Sequence, residues 1–110
     1  MNIKDIHLIY EYNYWANKRI LAASANVTQE QFLAPAYFPY GGLRGTLLHI
    51  LDTEWSWRAL FQSIDSASEL LEADFPTIAA FEAHWHEEET AMRAYLASLS
   101  DEDVEGHLRR

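Results

Sequence analysis

The sequence predicts an all-α protein, and three observations lead there. Apolar residues recur at steps of three and four through three separate segments, each about twenty residues long. Proline and glycine gather at 35–45 and at 76, between those segments. Nowhere does the strict alternation of a half-buried strand appear, nor an internal repeat or a low-complexity tract.

The first helix runs from about Ile3 to Ala23, with Ile6, Ile9, Tyr10, Asn13, Ala16, Ile20 and Ala23 on one stripe. Leu8, Tyr12 and Trp15 add bulk on another side, so burial on more than one face is expected. After a break at Asn26-Val27, Thr28 and Gln31 have capping-box spacing and open a short helical turn that ends at Pro35. The stretch from Ala34 to Gly45, with Pro35, Pro39, Gly41 and Gly42, is a structured loop. The second long helix spans about Gly45 to Ser63. Leu47, Leu48, Ile50, Leu51, Trp55, Trp57 and Phe61 cover most of its circumference, the pattern of a central helix. Asp65 to Phe75 is polar and acidic, a linker with room for one helical turn. Thr77 then opens the third helix, from about Ile78 to Leu99, on one narrow stripe of Ile78, Phe81, Trp85, Met92, Leu96 and Leu99. Ser100-Asp-Glu-Asp103 ends it, and the residues from Val104 to Arg110 form a short tail.

A chain of 110 residues makes a single domain, residues 1–110. It buries roughly two thirds of its unfolded surface, enough for one modest core. Four Trp, six Tyr and five Phe supply large buried areas for such a core. The net charge of −9 repels phosphate backbones, and no Lys/Arg cluster offers counterion release, so no nucleic-acid partner is expected. Without cysteine there is no disulfide, zinc–thiolate site or Cys nucleophile. Lys4, Asp5 and Glu11 interrupt the apolar N-terminus before a signal peptide can form, and no apolar run reaches the length of a membrane span. A soluble, cytoplasmic protein with no membrane partner is the expectation.

Three helices of about 30 Å suit an up-and-down bundle. A second helix that is apolar nearly all round, with only two long partners, is under-covered. A further element should pack on it, and Val104–Arg110 is too short to do so.

Two segments resemble the DinB/YfiT-like superfamily of small bacterial four-helix bundles. Tyr12-Asn-Tyr-Trp-Ala-Asn-Lys-Arg-Ile-Leu21 is similar to its first-helix signature, and Gly45-Thr-Leu-Leu-His-Ile-Leu-Asp-Thr-Glu-Trp-Ser-Trp57 to its second. The resemblance implies an up-and-down DinB-like four-helix bundle in which this chain holds only the first three long helices. It also implies one divalent metal, nickel or zinc, held by three histidines. His49 matches the ligand on the second helix; the other two belong to a His-x-x-x-His motif on a fourth helix expected to begin beyond Arg110. Characterised members include transferases and isomerases that use low-molecular-weight thiols such as bacillithiol or mycothiol on small-molecule substrates. The metal would act as a Lewis acid on a bound thiol or water. The DNA-damage-inducible label of the family describes expression, not chemistry.

Read without the resemblance, His49 aligns on the helical wheel with Thr53, Ser56 and Leu60, the least apolar side of its helix. Such a position suits a ligand at a pocket rim and equally a solvated histidine. His84 and His86, two apart, point away from each other, but His84 with Glu88 has the i, i+4 spacing of a helical metal pair. Glu88 and Glu89 also fill the gap between Trp85 and Met92. The preferred reading is that both are solvated acids flanking the seam; the other is a carboxylate entering the interior. His7 and His107 read as surface residues. Tyr12, Trp15, Trp55 and Trp57 are core positions or, less simply, the lining of a small-molecule pocket. No Glu-x-x-His supports a di-iron bundle site, and no nucleophile elbow or phosphate loop is present.

The alternative to a metal-dependent enzyme is a non-catalytic assembly module. Two chains would each cover the other's open apolar groove in a homodimer. A third reading is an inactive fragment, cut after the terminal Leu-Arg-Arg.

Overall fold

The computed structural model describes residues 2–36, 41–64 and 70–108, the last four of these as backbone only. Among these residues five α-helices follow in order: α1 Ile3–Ser24, α2 Gln29–Leu33, α3 Leu43–Gln62, α4 Ile78–Ala97 and α5 Asp101–Leu108. A 3-10 turn, Glu72–Asp74, precedes α4. No strand occurs among the described residues, and the fold is all-helical as expected. Of these helices, none is long and apolar enough to cross a membrane. The middle of the 34–45 loop, with Pro39, and residues 65–69 of the linker lie outside the described residues.

Except at α3, whose N-cap is Gly42, side chains that satisfy the first free backbone N–H groups mark the helix starts. Asn2 Oδ1 accepts from the Asp5 amide while Asp5 Oδ2 accepts from the Asn2 amide, both at 3.0 Å. Thr28 and Gln31 form the expected reciprocal box, at 2.9 and 3.0 Å. Thr77 Oγ1 accepts from the Ala80 amide at the start of α4. Ser63 adopts a left-handed conformation and ends α3. Ser100 and Asp103, read from the sequence as the end of the third helix, instead cap a new one. The Ser100 amide donates to Asp103 Oδ2 at 2.9 Å and α5 runs on from Asp101. The Ile3 amide donates to Asp101 Oδ1 at 2.8 Å and ties the start of α1 to the start of α5.

Helix α4 packs against both α1 and α3, and α2 lies on α3. The stripe expected on α4 is buried: Phe81, Trp85, Met92 and Leu96 all face inward. The main cluster joins Phe81 and Trp85 to Phe32 of α2, Leu47 and Leu51 of α3, and Phe75. Phe75 stacks flat on Phe81, centroids 4.3 Å apart, and Phe32 meets the same ring edge-on.

Two expectations about burial are corrected. On α1 the buried residues are Tyr14, Asn17 and Ser24, so the inner face is rotated from the predicted stripe and leaves Ile9 and Ile20 exposed. Tyr12, Trp15 and Trp57, read as core, are 68%, 54% and 53% exposed. The reason is geometric. The inner sides of α1 and α3 face α4 and meet each other at Glu54, α2 covers part of α3, and the bulky residues on the remaining sides stay outside.

Candidate functional site

His49 stands exposed in the first half of α3, and Thr53 and Ser56, one and two turns on, are exposed with it. Thr53 Oγ1 donates to the His49 carbonyl at 2.8 Å. Leu60 continues the stripe at 66% exposure, with Trp57 beside it. The least apolar side of α3 is therefore an outer face, as the helical wheel indicates.

The inner face of α3 carries the strongest polar feature. Glu54 lies at the junction of α1, α3 and α4, where its carboxylate accepts from three side chains. Asn13 Nδ2 reaches Oε1 at 3.0 Å, and Asn17 Nδ2 reaches both oxygens, at 3.2 and 3.0 Å. Trp85 Nε1 donates to Oε2 at 3.0 Å. Burial pushes the Glu54 carboxyl above the usual glutamate range; these hydrogen bonds pull the other way, and nearby Glu88 pushes up again. Tyr10 is also raised, first by burial and then by the charges of Glu54 and Glu88.

One turn on, Arg58 grips Glu88 of α4 through two hydrogen bonds, Nε to Oε1 at 2.8 Å and Nη2 to Oε2 at 3.1 Å. Its remaining Nη1 donates to Gln62, and its guanidinium lies over Trp55. Glu88 is 6% exposed. The reading of Glu88 as a solvated acid is therefore corrected: it is the interior carboxylate, held by a cation on the neighbouring helix. Burying an ionised carboxylate requires such a partner, and Arg58 is it. Glu89 is half-buried and pairs with Arg93 at 3.7 Å. Arg93 also binds Glu11 and covers the Tyr14 ring at 4.4 Å.

Among the described residues the other histidines do not join His49 in a metal-holding group. His84 is half-buried, with its ring edge-on to Phe75 at 5.5 Å. With Glu88 paired to Arg58, the His84–Glu88 spacing does not make a metal pair. His86 is exposed on α4, His7 is exposed on α1, and the side chain of His107 lies outside the described residues.

A metal site built on His49 needs further donors in reach. Among the described residues no group of three His, Asp or Glu side chains could hold an ion. The described residues therefore do not by themselves make a complete metal centre.

Sequence reasoning passed over Glu54, Asn17 and Arg58. A signal existed in Asn13, a polar residue on the predicted stripe of α1. A polar side chain there calls for a partner across the interface, and the only acids on α3 are Asp52 and Glu54.

A family model described as the DinB family matches residues 1–103 of the chain. Among curated proteins none matches the sequence.

Proposed function

The chain belongs to the DinB family, and from that premise we propose that it is a divalent-metal-binding protein to which α3 contributes His49 as one ligand. The observation that supports this reading is the placement of His49 on an exposed polar stripe with Thr53 and Ser56, bordered by the apolar Trp57 and Leu60. A neutral imidazole there can bind nickel or zinc. The remaining donors must come from outside the described residues. The activity proposed is metal-dependent transfer or hydrolysis of the thiol-dependent type, with a low-molecular-weight thiol and a small-molecule substrate. A cytoplasmic setting and DNA-damage-inducible expression belong to the same proposal, the latter on the family resemblance alone.

The test is metal content by mass spectrometry of protein purified without chelator or histidine tag, beside His49→Ala. Nickel or zinc retained by the wild type and lost from the variant is the expected result. Equal metal in both proteins, or none in either, overturns His49 as a ligand in this chain.

A second reading, a homodimeric assembly module, is favoured by the large apolar side chains exposed on α1 and α3. It requires no metal, and oligomeric state decides it.

A further inference from the structure

A groove between α1 and α4 encloses a pocket of about 180 Å³, and no residue of α3 lines it. Its inner wall is Tyr14, Asn17 and Trp85, all buried. Glu82, His86 and Glu89 of α4 stand around it.

The hydrogen-bonding inventory of that wall is one-sided. The amide nitrogen of Asn17 and the indole N–H of Trp85 are both engaged by Glu54. Trp85 can thus offer the pocket only its ring, and Asn17 only its carbonyl oxygen. The Tyr14 residue is 4% exposed, and its hydroxyl is the one buried side-chain polar atom without a partner among the described residues. A hydroxyl so placed needs a partner, and Tyr14 borders this pocket and a smaller one of about 100 Å³ beside Arg93. Glu82 and Glu89 add two carboxylates: Glu89 is shared with Arg93 at 3.7 Å, whereas Glu82 makes no ion pair among the described residues. Lys18 is the opposing lysine in the lining, exposed and on a long flexible stem.

Aromatic faces, oxygen acceptors and carboxylates together are the chemistry that recognises an ammonium group carrying an apolar body. We propose that this α1–α4 pocket binds a small organic ammonium ion, with its apolar part against the rings of Trp85 and Tyr14 and its N–H groups toward the Tyr14 hydroxyl, the Asn17 carbonyl oxygen, Glu82 and Glu89. A cavity of about 150 Å³ accepts benzene, so the pocket has room for one six-membered ring. The net charge of −9 draws such cations toward the protein. Glu82 and His86 have helical chelate spacing, but among the described residues they do not converge with a third donor, so a metal ion is a poorer occupant.

The probe is benzylammonium, titrated into the intact chain at constant ionic strength. Nitrogen–proton correlation spectra follow the Trp85 indole and the amides of α1 and α4. Saturable shifts confined to those residues are expected, with a Kd of about 1 mM, the scale for a ligand of eight heavy atoms. Benzyl alcohol, of the same shape without the charge, binds at least tenfold more weakly. E82Q/E89Q loses at least tenfold, and E82Q alone, at an exposed position that leaves the fold intact, loses severalfold. Tyr14→Phe weakens binding while keeping the ring. Absence of saturable shifts at 20 mM, equal binding of the alcohol, or wild-type affinity in E82Q overturns the proposal.

Discussion

Glu54 and Glu88 are neighbouring acids under different control. Glu88 meets a full positive charge in Arg58, whereas Glu54 is held only by the neutral donors of Asn13, Asn17 and Trp85. Neutral donors soften the burial of a charge without cancelling it, so the Glu54 carboxyl is pushed up. A carboxyl whose pKa is higher in the folded than in the unfolded chain binds its proton more tightly when folded. Its contribution to stability is complete below the ordinary carboxyl value, and it is lost as pH rises through the folded value. The window therefore opens near pH 4.5 and extends upward. Urea unfolding of wild type and Glu54→Gln at several pH values between about 4 and 7 isolates this group from the other carboxylates. The stability of wild type relative to the variant should fall as pH rises. A flat or rising difference means that the folded chain does not raise this carboxyl.

At the scale of the elements, much was written in short local patterns. The Thr28–Gln31 box, the Thr77 start and the apolar stripe of α4 depend on spacing within a few residues, and all formed as expected. Ser100–Asp103 shows the limit of such reading. The same residues that look like a helix end make a helix start, because the Ser100 side chain and backbone engage Asp103. Which loop glycine is indispensable was hidden as well, since it depends on a contact eight residues away. Gly42 has φ +138°, and a Cβ there would lie 2.5 Å from the Ala34 carbonyl oxygen. Gly41 has φ +84°, with open space around the added carbon. Gly42→Ala should therefore cost about 1–3 kcal/mol, strain of a region nearly reserved for glycine, and Gly41→Ala less. Thermal unfolding ranks the two. Equal midpoints, or the reverse order, would show that the 34–42 approach is not needed for folding.

For the whole molecule, periodicity gave the number of long helices but not which sides they would bury, because that depends on how many neighbours each acquires. The consequence is visible in shape: the radius of gyration is 15.6 Å, against about 13 Å for a compact domain of this length. Leu8, Tyr12 and Trp15 on α1, with Trp57 and Leu60 on α3, remain more than half exposed. Scattered apolar side chains are ordinary on a surface; these large ones on two helices are the side chains that the proposed assembly would cover. Two-fold pairing of identical surfaces is the commonest way to cover one. Sedimentation over a range of concentrations should find a dimer that dissociates on dilution. Trp15→Glu with Leu60→Glu should leave a monomer of undiminished helicity, because neither side chain supports the core of its own chain. A wild type that sediments as a monomer at every concentration, or a double variant that still pairs, sinks the assembly reading and leaves the His49 reading to stand or fall on metal content alone.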